Sequence, residues 1–112
     1  MITIAEERNG EITIVDINGR VDSNTAKSFE ERLVGLLQSG HKRVMVDLKH
    51  LVYISSAGCR VLLVATKAAQ KNGAQLALCN LTADVMRVFE LGGLADFFAI
   101  YPSREEGLAN LK

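Results

Sequence analysis

The fold is decided by residues 43–63, which read RVMVDLKHLVYISSAGCRVLL. The stretch opens with a short apolar run, residues 43–48, and such a run is typical of a strand that is covered on both faces. We therefore place this strand in the middle of a sheet. Two serines and a glycine follow, and the Ala, Leu and Val pattern after them continues to Lys71-Asn72-Gly73 and predicts a helix.

The chain before this stretch predicts two strands and a helix. Two short β-rich runs are separated by Asn9-Gly10, a dipeptide typical of a tight hairpin turn because both residues tolerate a positive φ. Asn18-Gly19 is expected to end the second strand. Asp22-Ser23-Asn24 offers an N-cap for a helix over residues 23–38, and Ser39-Gly40 closes that helix.

The chain after this stretch alternates between strand and helix. The pattern predicts a strand at residues 75–79, a helix at 82–91, a short strand at 97–100 and a last helix at 103–111, capped by Ser103 with Glu106 three residues on. Alternation of this kind requires a mostly parallel sheet whose strands are joined by crossover helices. We therefore predict an α/β fold with an N-terminal β-hairpin, a mostly parallel sheet of four or five strands and four helices, in a single domain over residues 1–112.

The composition argues against a nucleic-acid or membrane partner. The 112 residues include 13 Lys plus Arg and 13 Asp plus Glu, so the chain lacks the basic excess that attracts polyanions. No apolar run approaches the ~20 residues that span a bilayer. Cys59, Cys79, His41 and His50 do not form a metal-ligand spacing, and the first residues lack a leader pattern. We expect a cytoplasmic protein without metal or cofactor.

Ser55 and Ser56 stand where a helix begins, which leaves two interpretations of their hydroxyls. One hydroxyl is the natural N-cap, accepting a hydrogen bond from a backbone N–H two or three residues ahead. Alternatively, one hydroxyl is phosphorylated, because a helix N-terminus accommodates a phosphate without unfolding the domain. Gly58 favours a special role for this turn, since a glycine costs about 1 kcal/mol of helix stability relative to alanine.

Three segments, in order along the chain, resemble the signature of the STAS domain of anti-sigma factor antagonists. Residues 46–63 are similar to that family's strand ending in Asp-Leu and to its Tyr-Ile-Asp-Ser-Ser-Gly-Leu loop, which presents a phosphorylated serine. Residues 18–23 are similar to its Gly-x-Leu-Asp turn, and residues 89–98 to its Leu-x-x-x-Gly-Leu-x-x-x-Phe stretch. The resemblance implies a STAS-like fold and a regulator that binds proteins rather than an enzyme.

The resemblance also implies that Ser56 is the phosphorylated residue, with Ser55 as the second choice. With Ser56 as the acceptor, Gly58 falls two positions later, where the family also has Gly. Ser55 stands where the family often has Asp just before the phosphoserine, and Ala57 is the small residue after it. A kinase that reads an acidic residue beside the hydroxyl would therefore be excluded.

The family's mechanism implies two protein partners. In the family, the unphosphorylated protein binds an anti-sigma factor that has a histidine-kinase-like serine kinase fold. The anti-sigma factor then releases the factor that it had been holding. The same kinase phosphorylates the serine, and a serine phosphatase resets it. We expect the partner-binding surface to comprise Asp22, Ser23, Ser55, Ser56, Ala57, Gly58, Arg60, Val64 and Lys67.

Several alternatives stay open at this point. A solvated helix face explains Arg60, Val64 and Lys67 equally, and a cap for the first helix explains Asp22 or Ser23. A hydrolase is disfavoured because the Gly-x-Ser-x-Gly pattern is missing. The alternative function is a non-switching STAS interaction subunit of a transporter or of a lipid-trafficking complex.

Overall fold

A computed structural model describes residues 2–111 of the chain. The strands are β1 (Ile2–Asn9), β2 (Ile12–Val21), β3 (Arg43–Asp47), β4 (Leu51–Ile54), β5 (Gln75–Cys79) and β6 (Ala99–Tyr101). The helices are α1 (Ala26–Gln38), α2 (Ser56–Lys71), α3 (Ala83–Leu91) and α4 (Arg104–Asn110), with a short 3-10 helix at Ala95–Phe97. Helices and strands therefore alternate for most of the chain after the N-terminal hairpin.

The strands form one mixed, mostly parallel sheet. Its order is β1-β2-β3-β5-β6, and β4 pairs with β2 beyond the end of β3. β1 and β2 are antiparallel, and the other strand pairs are parallel. β3 lies at the centre, as its apolar run predicts, and its Val44, Met45 and Val46 are fully buried. The predicted α/β fold with an N-terminal hairpin and four helices is confirmed.

The two faces of the sheet carry separate cores. The larger core lies under α1, α2 and α3 and includes Phe29, Leu33 and Phe89. The smaller core lies under α4, where Gly107 sits so close to Met45 that a Cβ would collide with its sulfur. The glycine therefore lets α4 approach the sheet.

A polar cluster ties α4 to the sheet beside this smaller core. Asp47 is buried at the end of β3, and Nε of Arg104 donates to its carboxylate at 2.8 Å. Nδ2 of Asn80 and the backbone N–H of Lys49 also donate to it, and Arg104 reaches Glu7 at 2.7 Å. Burial alone would raise the pKa of Asp47, but these donors outweigh burial and hold that pKa below its ordinary value.

β4 is a strand that the sequence pattern did not predict, and with it residues 2–111 contain six strands where four or five were expected. β4 has only four residues, which is too few to show a clear alternation of apolar and polar side chains. The polar Lys49-His50 pair separates it from the apolar run of β3. β4 forms because its backbone pairs with the end of β2, and it buries Leu51 and Ile54.

The predicted end of β2 is wrong. The strand continues through Asn18-Gly19 to Val21. Gly19 has a φ of +116°, which favours glycine, and the pairing with β4 shifts register between Gly19 and Arg20. The dipeptide therefore marks an irregularity within the strand rather than its end.

The predicted start of α1 is also wrong by about one turn. The helix begins at Ala26 rather than at Ser23. Oδ1 of Asp22 accepts hydrogen bonds from the backbone N–H groups of Asn24 and Thr25 at 2.9 and 3.2 Å. These bonds hold the chain in a turn that precedes the helix.

The remaining boundaries agree with the sequence predictions to within about two residues. The hairpin turn is Gly10-Glu11, one residue later than predicted, and Gly10 has a φ of +61°. Oγ of Ser103 accepts a hydrogen bond from the N–H of Glu106 and caps α4 as predicted. Within residues 2–111, no helix has the length and apolar character needed to cross a membrane.

Candidate phosphorylation and docking site

Strand pairing brings the two predicted parts of the site together. β4 runs parallel to the end of β2, with Ile54 opposite Val21. The backbone N–H of Ser55 donates to the carbonyl oxygen of Val21 at 2.9 Å. Because both strands end at the same edge of the sheet, the loop that starts with Asp22-Ser23 lies beside the two serines.

The two serines have different positions at the start of α2. Ser55 is the N-cap: its backbone is extended, and its Oγ accepts a hydrogen bond from the N–H of Gly58 at 3.3 Å. Ser56 is the first helical residue, and its side chain is exposed. Among the described residues, its hydroxyl has no hydrogen-bond partner. The cap therefore uses Ser55 and leaves the hydroxyl of Ser56 accessible.

Gly58 is required for close packing of the first turn of α2. A Cβ at this position would lie 2.6 Å from Cγ1 of Ile54 and 2.7 Å from Cγ1 of Val21, so no side chain fits without a shift of the core. Gly58 is buried, unlike the exposed Ser56 and Arg60. Gly58 therefore lets the first turn of α2 pack against the core, and it does not itself present a surface to a partner. This packing explains why a glycine stands here although glycine lowers helix stability.

Asp22 is held in place by its own turn. Its carboxylate accepts the two backbone hydrogen bonds described above, and Thr25 Oγ1 lies 3.3 Å from the same oxygen. The bond from the N–H of Asn24 lowers the pKa of Asp22, so this side chain stays ionised. Ser23 beside it is exposed. The loop therefore presents a fixed carboxylate and an exposed hydroxyl next to the start of α2.

The outer face of α2 carries Arg60, Val64 and Lys67, the stripe of this helix that belongs to the predicted partner-binding surface. Arg60 and Lys67 are exposed, and Val64 between them is half-buried. The opposite side of the helix faces the core, where Leu62 and Ala65 have no exposed surface. The stripe begins one helical turn after Ser56 and runs away from it along the helix.

Sequence reasoning missed an exposed apolar patch on β4, the strand that leads to the two serines. Val52 and Tyr53 are 68% and 41% exposed, and the guanidinium of Arg20 lies 4.4 Å from the centroid of the Tyr53 ring. The register shift causes this exposure, because it turns Leu51 and Ile54 inward and leaves the two residues between them outside. The three-residue spacing of Leu51 and Ile54 is the sequence signal that could have revealed it.

The other chemistry-bearing residues lie apart from this site or inside the core. His41 Nδ1 lies 2.7 Å from Thr13 Oγ1 near the start of β3. Cys59 and Cys79 are free and buried, and burial raises the pKa of both thiols, that of Cys79 to about 12. In the part of the chain that is described, no three His, Cys, Asp or Glu side chains are grouped so that they could hold a metal ion.

Two proteins of known family resemble this chain over most of its length. BtrV of Bordetella bronchiseptica is 38% identical over 99 residues, which are 88% of this chain and 85% of BtrV. The anti-sigma-B factor antagonist of Bacillus subtilis is 31% identical over 107 residues, which are 96% of this chain and 97% of that protein.

Solved structures share the fold. An anti-sigma factor antagonist from Mycobacterium paratuberculosis has a TM-score of 0.90 at 21% identity, covering 99% of this chain and 94% of that one. SpoIIAA of Bacillus in its phosphorylated form has a TM-score of 0.73 at 15% identity, covering 98% of this chain and 100% of that one. At these identities the likeness establishes the fold alone.

The family follows from the sequence matches. The profile of the STAS domain matches residues 3–107, almost the whole chain. Three segments of the chain were predicted to resemble this domain, and that prediction is confirmed. The assignment also agrees with the prediction that the chain is not an enzyme. The chain belongs to the STAS-domain family of anti-sigma factor antagonists.

Proposed function

We propose that this protein is a partner-switching regulator, formed by one STAS domain over residues 1–112 and acting in the cytoplasm. In its unphosphorylated form it binds an anti-sigma factor with a histidine-kinase-like serine kinase fold and so releases the factor held by that kinase. Phosphorylation of Ser56 abolishes the binding, and a serine phosphatase restores it. The observation that carries the proposal is the exposed, unbonded hydroxyl of Ser56 at the start of α2.

The geometry favours Ser56 over Ser55 as the phosphorylated residue. Ser55 is half-buried, and its Oγ already accepts the capping bond from Gly58. A kinase would have to break that bond to place the Ser55 hydroxyl in its active site, whereas the Ser56 hydroxyl needs no such change. SpoIIAA, a protein of the same fold, has been solved in a phosphorylated form, which supports the idea that this scaffold tolerates the modification.

A phosphate on Ser56 would act through charge at the centre of the contact surface. The group adds about −1.5 to −2 charges at neutral pH. It would lie among Asp22, Ser23 and Arg60, and binding would require it to lose water and face the partner. A cost of about 3 kcal/mol weakens association roughly a hundredfold.

The decisive experiment combines phosphate mapping with binding. The protein is incubated with ATP and candidate kinases of the histidine-kinase-like fold, and phosphate is located by mass spectrometry. We expect Ser56→Ala to abolish modification, while Ser39→Ala, which removes an exposed hydroxyl after α1 and outside the predicted partner-binding surface, leaves it unchanged. We also expect Ser56→Glu to bind the kinase at least tenfold more weakly than the parent, measured by calorimetry.

Two outcomes would overturn the proposal. Phosphate on Ser55 or Ser23 alone would assign the switch to another residue. Equal affinity of the parent, Ser56→Ala and Ser56→Glu for the kinase would show that Ser56 does not control binding. Recovery of transporter or lipid-trafficking subunits from a native extract, with no kinase present, would favour the non-switching interaction subunit.

A further inference from the structure

We propose that Arg60 binds the phosphate once Ser56 is phosphorylated, and is thereby withdrawn from the partner surface. The inference rests on the proposed phosphorylation of Ser56 and adds a contact within the chain. The modification would then do two things at once: it would add negative charge and remove an available cation.

Helix geometry places the two side chains together. Ser56 and Arg60 lie four residues apart within α2, so they occupy one face of the helix in successive turns. Side chains at this spacing have Cβ atoms about 5–6 Å apart, well within the reach of an arginine. Lys67 lies eleven residues from Ser56, about 16 Å along the helix axis, which is too far for direct contact.

Arg60 is available for this role. Its side chain is exposed, and within residues 2–111 it takes part in no ion pair. Four other arginines are already engaged: Arg32 pairs with Glu6, Arg43 pairs with Glu11, Arg104 pairs with Glu7 and Asp47, and Arg20 stacks on Tyr53. A phosphate on Ser56 would therefore meet a guanidinium that has no competing partner in the described structure.

The chemistry and the order of the two groups are favourable. An acidic group four residues before a basic one stabilises a helix more than the reverse order, because it also complements the helix dipole. A guanidinium can donate two parallel hydrogen bonds to two phosphate oxygens. The N–H of Gly58 already donates to Ser55, so it is not free for the phosphate, and Arg60 is a charged donor on the same helix face as Ser56.

Phosphoserine placed at position 56 during translation allows a test without any kinase or partner. The phosphate is titrated by phosphorus-31 NMR in the parent and in Arg60→Gln, with Lys67→Gln as a matched loss of one exposed cation on the same helix. We expect the titration midpoint to rise by about 0.2–0.7 in Arg60→Gln, the size of an exposed ion pair, because the cation favours the doubly charged phosphate. Lys67→Gln should leave the midpoint unchanged, and Arg60→Lys should give an intermediate value.

Salt provides a second criterion. The difference between the parent and Arg60→Gln should shrink in 1 M salt, where the screening length falls to about 3 Å. Equal midpoints in the parent and Arg60→Gln at low salt, or equal shifts in Arg60→Gln and Lys67→Gln, would overturn the inference. Because the phosphate is installed directly, this result is independent of whether any kinase modifies Ser56 or whether modification weakens partner binding.

Discussion

At the scale of single residues, the start of α2 depends on two adjacent serines that the sequence alone does not distinguish. Ser55 and Ser56 have the same side chain, but only Ser55 has the extended backbone of an N-cap, and only Ser56 has an accessible hydroxyl. The sequence left capping and phosphorylation as alternative interpretations of these hydroxyls and did not decide which serine caps the helix. The choice depends on where β4 ends, and β4 forms only through pairing with a distant strand.

We expect Gly58→Ala to lower the free energy of unfolding by up to about 2 kcal/mol. The added Cβ would overpack the buried side chains of Ile54 and Val21, which costs about 1–3 kcal/mol, and the gain in helix propensity offsets only about 1 kcal/mol of it. Urea denaturation followed by circular dichroism measures the change.

Gly35 provides the matched control because it is exposed within α1 and a Cβ there would meet no atom within 4 Å. Gly35→Ala should therefore stabilise the protein by up to about 1 kcal/mol. If both alanine variants changed stability in the same direction by similar amounts, close packing at Gly58 would not be the reason for its glycine.

At the scale of secondary-structure elements, α2 depends on a single side-chain cap. We expect Ser55→Ala to cost about 0.5–2 kcal/mol, because the N–H of Gly58 loses its acceptor at the end of a packed helix. Ser56→Ala should change the free energy of unfolding by less than about 0.5 kcal/mol, since its hydroxyl is exposed. Thermal unfolding of the two variants side by side measures this difference, and a larger loss in Ser56→Ala would reverse the assignment of the cap.

The elements that the sequence predicted well are those whose signal is local. The apolar run of β3, the helical pattern of α2 and the cap of α4 at Ser103 each lie within one continuous segment. β4, the late start of α1 and the exposed pair Val52-Tyr53 were missed. β4 and the exposed pair depend on strand pairing with β2, which no window of neighbouring residues contains. The late start of α1 has a local cause: Asp22 binds the backbone N–H groups of Asn24 and Thr25 in a turn, and an aspartate that forms such a turn looks the same in the sequence as one that caps a helix.

At the scale of the whole molecule, the polar cluster around Asp47 joins the chain's two ends to the centre of the sheet. It links β3 to α4 through Arg104, and Arg104 in turn reaches Glu7 on β1. Arg104 is 57 residues from Asp47 and 97 residues from Glu7 in the chain. Sequence analysis assigned no role to Arg104, because a contact over such separations leaves no spacing pattern to detect.

The cluster makes stability depend on pH. Because the folded-state pKa of Asp47 is depressed, its contribution is complete above the unfolded-state pKa of about 3.9 and is lost as the pH falls through the lower folded-state pKa. We expect Asp47→Asn to cost about 1–3 kcal/mol at pH 7, where Arg104 loses its buried partner. Denaturant unfolding between pH 7 and 2 should also show a smaller acid-induced loss in this variant than in the parent.

Asp96→Asn is the control for this measurement, since Asp96 is exposed and takes part in no ion pair in the described residues. It should leave both the stability at pH 7 and the acid-induced loss near those of the parent. An acid profile of Asp47→Asn that matches the parent's would mean that other carboxylates govern acid sensitivity.

The hairpin turn Gly10-Glu11 has a practical consequence for following the switch. It lies at the opposite end of β2 from the serines, and nine residue steps of strand correspond to about 30 Å. Glu11 is 86% exposed in its side chain. A fluorescent dye attached there would tumble with the domain and report complex formation by anisotropy, while the edge that carries Ser56 stays unobstructed.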